Sequence, residues 1–267
     1  MSWALSVPSP AIPNATNPDD EPRRGKAQTT HRTVMLLFDE TTHPLAARFQ
    51  ALVRHPEFPC VGAKSAVGRG QMKFLVARDI ESSWDDLRIY TALLEFATSY
   101  RSDPRLFQSL VVLFETVRDL SEPGFERALW TRLQSLADKD AWHGQSYDDR
   151  VSSDPQSPHF SLSFGGEAFF VVGLHPNASR AARRFELPTL VFNLHDQFER
   201  LREQQRYESL RAKIIERDVA LAGSANPMLA RHGEVSEARQ YSGRAVETGW
   251  TCPFVPPARV KALVGDQ

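Results

Sequence analysis

Little in this chain points to a covalently stapled or membrane-spanning architecture. Cysteine occurs only at Cys60 and Cys252; two are too few for a disulfide framework at this length, and they fit a reducing compartment. No apolar run approaches the roughly 20 residues of a membrane span. The N-terminus lacks the basic stretch and apolar core of a secretory leader, so a cytoplasmic protein is expected. Neither sign of charge prevails: 32 Lys and Arg face 33 Asp and Glu. Global charge therefore gives no argument for nucleic-acid or membrane partners, and any basic patch is local. The common enzyme signatures are missing too: no glycine-rich phosphate loop, dinucleotide fingerprint, His-Glu-x-x-His helix or nucleophile elbow. Without a CxxC pair, a structural zinc site is not expected.

What is present concentrates between Phe164 and Glu199. Ala168–Leu174 (AFFVVGL) is apolar, β-branched and too short for an ordinary helix, so it reads as a buried strand ending at His175-Pro176. Arg180, Arg183 and Arg184 follow. A second such run, Thr189–Leu194, ends at His195-Asp196. Two strands thus each deliver a histidine, with guanidinium groups between them in sequence.

In chain order, residues 1–30 are rich in Pro, Ser, Asn and charge, with little apolar periodicity, and read as a disordered arm. An amphipathic helix is expected over Leu45–Val53, and the prolines of HPEFPC force an extended path. Met72–Ala77 and Leu110–Phe114 read as strands. A helix capped by Ser82 or Ser83 carries Trp84 through Ala97, and Phe125–Leu136 is another with Trp130 on its apolar side. Asp138–Pro158 is polar and reads as a loop, either surface padding or a lid. Phe160–Phe164 and Ala168–Leu174 flank Gly165-Gly166 as a hairpin. Asp196–Ala222 reads as helix in one or two pieces, broken by Gly223–Pro227. The expected fold is α+β, a mixed or antiparallel sheet flanked by helices in one domain over 31–256, with a tail over 257–267.

His175 is the first candidate ligand, because a strand end can hold an imidazole rigidly; the alternative is a histidine bonded to backbone. Haem iron suits it, since Arg180, Arg183 and Arg184 would then face the two propionates. His195 is the rival ligand or a hydrogen-bonding group on the opposite side of the iron, and His232 is a third candidate. Cys60, in FPCVGAK, is either a thiolate ligand or a small buried apolar residue, and the latter is the simpler reading. Glu237 and Arg239 face a charged substrate or each other.

Several separated segments together resemble the YqcI/YcgG family: FPCVGAKSA, FGGEAFFVVGLHPNASRAARRF, LPTLVFNLHDQFERLR, IIERD with GSANPML, HGEVSEARQYSG and WTCPF. The similarity runs from about Phe58 to Phe254, and within the family looks most like the guanitoxin-biosynthesis pre-guanitoxin N-hydroxylases. This resemblance implies a haem b-dependent N-oxygenase. It would use molecular oxygen to hydroxylate a guanidine nitrogen of L-arginine or a related guanidino or amino compound. It also implies a histidine iron ligand, placed at His175 through HPNASRAARRF, with His195 and Glu237 as catalytic candidates. Glu237, then Asp196 and Glu234, are candidates for binding the guanidinium. The partners implied are an electron donor of unidentified chemistry and, as candidate assembly, a homodimer. A haem carrier or sensor without turnover and a non-haem small-molecule binding protein are the alternatives.

Overall fold

The computed structural model describes residues 39–230 and 233–257. The expectations for the N-terminal arm, for His232 and for the tail from residue 258 lie outside them. Five strands, most of them from wholly apolar runs, pair as their burial requires. β1 (Met72–Ala77) runs parallel to β2 (Ser109–Phe114), which is antiparallel to β5 (Thr189–Leu194). β5 is antiparallel to β4 (Glu167–Leu174), which closes on β3 (Leu162–Phe164). The sheet order is β1-β2-β5-β4-β3, an open, mixed, five-stranded sheet. The β3–β4 hairpin turns at Gly165 and Gly166, with φ of 59° and 80°, where a Cβ is disfavoured.

Both faces of the sheet are covered, which is why the strands read as continuous apolar runs rather than as alternation. On one face lie Leu75, Val112, Phe192, Phe169 and Val171, packed against α3 (Asp86–Ser102) and α4 (Glu122–Trp142). The fit is close at Gly173, where a Cβ would come within 2.7 Å of the Phe125 ring and 2.8 Å of Leu129. Trp130 of α4 stacks on Tyr241, and the C-terminal WTCPF segment completes this layer through Cys252 and Phe254. Arg132 and Asp86, each only 1% exposed, form an ion pair that ties α4 to the start of α3.

On the other face, Phe74, Val76, Val111 and Leu113 meet α1 (Pro44–Arg54) and α2 (Val61–Gly68). Beyond them come α5 (Asp196–Glu203) and α6 (Tyr207–Ala222), while the short α7 (Ala238–Tyr241) packs along β4 and sends Ala238 and Tyr241 into the α4-side layer. The main neighbours of α6 are α2, α5 and the 3-10 turn Ala181–Arg183. Its apolar residues Leu210, Ile214 and Ile215 stay half-buried.

Three boundaries differ from the sequence reading. α3 starts at Asp86, because Ser82 caps only a turn by accepting the Trp84 N–H at 3.2 Å, leaving Trp84 73% exposed. α4 continues to Trp142, since buried Ala137 and Asp140 extend its inward face and Asp140 accepts the Gly165 N–H at 2.8 Å. The remaining stretch up to Pro158 straps onto Ser161 through Tyr147 and onto Ser163 of β3 through Asp148. No helix among the described residues is long and apolar enough to cross a membrane.

Candidate functional site

Between the second sheet face and α6 lies a cavity of about 340 Å³, within the size range of small-molecule sites. Its floor is made by Phe170, Val172 and Leu174 of β4 with Val191 and Asn193 of β5, and Leu210, Ile214 and Ile215 of α6 face them. These walls are mainly apolar. The polar groups come from loops and helix ends: Cys60 and Arg183 on one part, His195, Gln197 and Glu237 on others.

Strand pairing decides where the two histidines go. Because β4 and β5 are antiparallel, Leu174 pairs with Thr189 and Phe169 with Leu194. His175 and His195 therefore sit at opposite ends of the sheet, roughly 20 Å apart at about 3.3 Å per residue. Side-chain alternation separates them further. His175 follows the parity of Phe169, Val171 and Gly173 and packs on α4, its ring stacked on Phe125 at 4.4 Å between centroids. It is 1% exposed, its Nδ1 has no hydrogen-bond partner among the described residues, and burial lowers its pKa. It is not part of the cavity wall. His195 is: its backbone N–H donates to Ala168 at 2.8 Å, and its ring contacts Phe198.

The three arginines also part company. Arg184 donates to the Ala178 and Ser179 carbonyls at 2.7 and 2.8 Å, is exposed and lies outside the cavity wall. Arg180 lines the cavity, but its guanidinium is held by Asp218 at 2.5 Å. Arg183 lines it too and donates to the Gly173 and Gln240 carbonyls at 3.1 and 3.0 Å, the latter in the last turn of α7, where a cation is favoured. Burial lowers its pKa to about 10. No carboxylate pairs with Arg183 among the described residues.

The WTCPF cysteine lies in the core on the α4 side, but the FPC cysteine does not. Cys60 is the N-cap of α2, and its Sγ accepts the Ala63 N–H at 3.4 Å. Burial pushes the thiol pKa up, while the Ala63 and Gly62 N–H groups and the Arg183 charge act in the opposite direction. Its loop is clamped from two sides. Lys64 donates to the His55 carbonyl at 2.5 Å, and Arg217 of α6 donates to the Pro56 carbonyl and to that of Phe58 at 3.1 Å. Lys64 is thereby engaged with backbone carbonyls.

The acidic candidates separate as well. Asp196 accepts from Tyr100 at 2.6 Å and Arg150 at 3.1 Å, outside the cavity wall, and Glu234 is exposed. Glu237 is 8% exposed and lines the cavity. Arg239 turns away from it toward the Trp250 and Glu247 carbonyls. No residue of the 138–158 stretch lines the cavity, so that stretch is no lid over it.

These segments, from the first helix through FPC and the two histidine strands to WTCPF, match one family over residues 49–255. The chain belongs to the YqcI/YcgG family. In this YqcI/YcgG protein the matched span covers the whole sheet and every wall of the cavity. No similar curated protein and no similar solved structure was found. Cys60, Arg202 and Arg211 are wall residues that spacing alone did not bring together. The prolines of FPC were the one available signal, since they fix a cysteine at a helix start.

Haem can be tested against these groups directly. A flat macrocycle with two carboxylates needs apolar walls, an iron donor and cations. The cavity has the apolar walls, the Cys60 thiol and the His195 imidazole as donors, and Arg183 and Arg211 as cations without a carboxylate partner among the described residues. The donor set fits; His175 is not in it.

Proposed function

We propose that this cavity holds haem and that the protein is a haem-dependent N-oxygenase acting on a guanidine nitrogen of L-arginine or a related guanidino or amino compound. The observation that carries the reading is the largely apolar cavity with a thiol at a helix start and a buried carboxylate in its wall. The family resemblance supports the activity, although it implies a histidine rather than a thiol on the iron.

Cys60 would hold the iron. Backbone N–H groups directed at its sulfur, with Arg183 nearby, favour the thiolate over the thiol once a cation offsets the cost of burial. Bound haem supplies oxygen activation. The chain's own residues do the rest. Arg183 and Arg211 receive carboxylates, whether the cofactor's propionates or the substrate's own. Phe170, Val172 and Ile214 exclude water along the walls. His195 offers an imidazole that can donate a hydrogen bond or move a proton at the Ala168 end of the cavity.

The test is a visible spectrum of protein expressed with a haem precursor, recorded with and without L-arginine. A Soret band that shifts on adding arginine is expected. A colourless protein would overturn the haem reading, and a Soret band indifferent to arginine would overturn the substrate and favour a carrier.

A further inference from the structure

Among the described residues, two carboxylates face the cavity, Asp218 and Glu237. Asp218 is closed off by Arg180. Glu237 has no such partner among the described residues. Its Oε1 accepts from the Ser161 hydroxyl at 2.6 Å and the Tyr241 hydroxyl at 2.5 Å. Both hydroxyl oxygens also lie 3.1 Å from the Phe169 carbonyl, which fixes the carboxyl group against β4. The second carboxyl oxygen has no hydrogen-bond partner among the described residues. A residue 8% exposed, clamped by one oxygen and lining a cavity with the other unpartnered, is built to meet a donor from within that cavity.

We propose that Glu237 is the cation anchor of the cavity: its second oxygen receives the guanidinium or ammonium head of the ligand, and the carboxyl group releases its proton to solvent as that cation docks. This rests on reading the cavity as a small-molecule site and specifies how it takes a cationic substrate.

The groups around Glu237 define the linkage. Tyr241 of α7 and Tyr147 of the segment before β3 are phenols whose own ionisation burial and Glu237 oppose. Arg202 of α5 favours the ionised carboxylate but is itself bonded to Glu199. Burial outweighs these and pushes the Glu237 carboxyl up to about 7. Without a bound cation a large share of the carboxyl is therefore protonated near neutral pH, and an arriving cation favours the charged form. Below the shifted pKa, binding must expel one proton, so affinity falls as pH falls. Above it the carboxylate is already charged and affinity levels off.

The experiment is calorimetric titration of the full chain, prepared with haem supplied, with L-arginine and with agmatine across the pH range bracketing about 7. Wild-type affinity is expected to weaken by about tenfold per unit below the midpoint, with one proton released per ligand. Glu237→Gln keeps an oxygen for Ser161 and Tyr241 and so should fold, as a thermal melt would confirm. It is expected to bind on the order of tenfold or more weakly at high pH and to lose the pH dependence. A pH-independent wild type, an undiminished Glu237→Gln variant, or a wild type that binds neither compound would overturn the anchor. Proton-linked arginine binding without a Soret band would sink the haem reading and leave the anchor standing. A Soret band without such binding would do the reverse.

Discussion

Asp86→Ala is expected to destabilise the protein by about 3–5 kcal/mol, the range for breaking a buried ion pair by deleting one partner. Asp86 opens α3 and is 1% exposed; it pairs with Arg132, equally buried, and accepts from Lys139 at 3.0 Å. Arg132 also donates to the Ile80 carbonyl at 3.2 Å, so the guanidinium ties the β1–α3 connection to α4. Removing the carboxylate leaves a buried cation with only carbonyl partners and takes a negative charge from a helix start. Denaturant unfolding measures the loss. Asp86→Leu with Arg132→Met should recover most of it, because an apolar pair has no charge to leave stranded. A loss below about 1 kcal/mol in Asp86→Ala would place the pair among surface-like contacts.

Ile214→Trp is expected to abolish haem retention while the chain still folds. Ile214 projects from α6 into the cavity and is half-buried. An indole there occupies space needed by the macrocycle, yet adds apolar burial to a helix face that lacks it, so the melting temperature of the haem-free protein should hold or rise. Ala220→Trp, on the exposed side of the same helix, is the control and should keep haem. The ratio of Soret to protein absorbance reads both. Full haem content in Ile214→Trp would show that the ligand lies elsewhere.

Most of the scaffold was legible. The strands over Met72–Ala77 and Thr189–Leu194 stand where their apolar runs end, and the Gly165-Gly166 hairpin turns where two left-handed residues allow it. Helix ends were less so. The Asp138–Trp142 turns of α4 look polar, but Asp140 is buried because a hairpin N–H meets it, a contact about 25 positions away in sequence.

The site was legible only in part. His175 and His195 looked like a pair because each ends a strand. The antiparallel pairing of β4 with β5 places them at opposite sheet ends, and alternation turns His175 toward Phe125. Periodicity gives the alternation but not which face carries a cavity, since both faces are covered by helices. Cys60 looked like a small core residue for the same reason. What sets it apart is tertiary: α6 folds over its loop and Arg217 clamps it. Glu237 was visible as a candidate. Its clamp by Ser161, from a residue 76 positions away, was not.

The central claim is that haem sits in this cavity with Cys60 on the iron. The most direct measurement is the spectrum of the ferrous protein with carbon monoxide, for the wild type and for Cys60→Ser, with His175→Ala alongside. The account predicts the long-wavelength Soret band of thiolate ligation in the wild type and in His175→Ala, and its loss or conversion in Cys60→Ser. An imidazole-type band in the wild type that survives Cys60→Ser would contradict it, and disappearance of that band in His175→Ala would return the iron to the other face of the sheet.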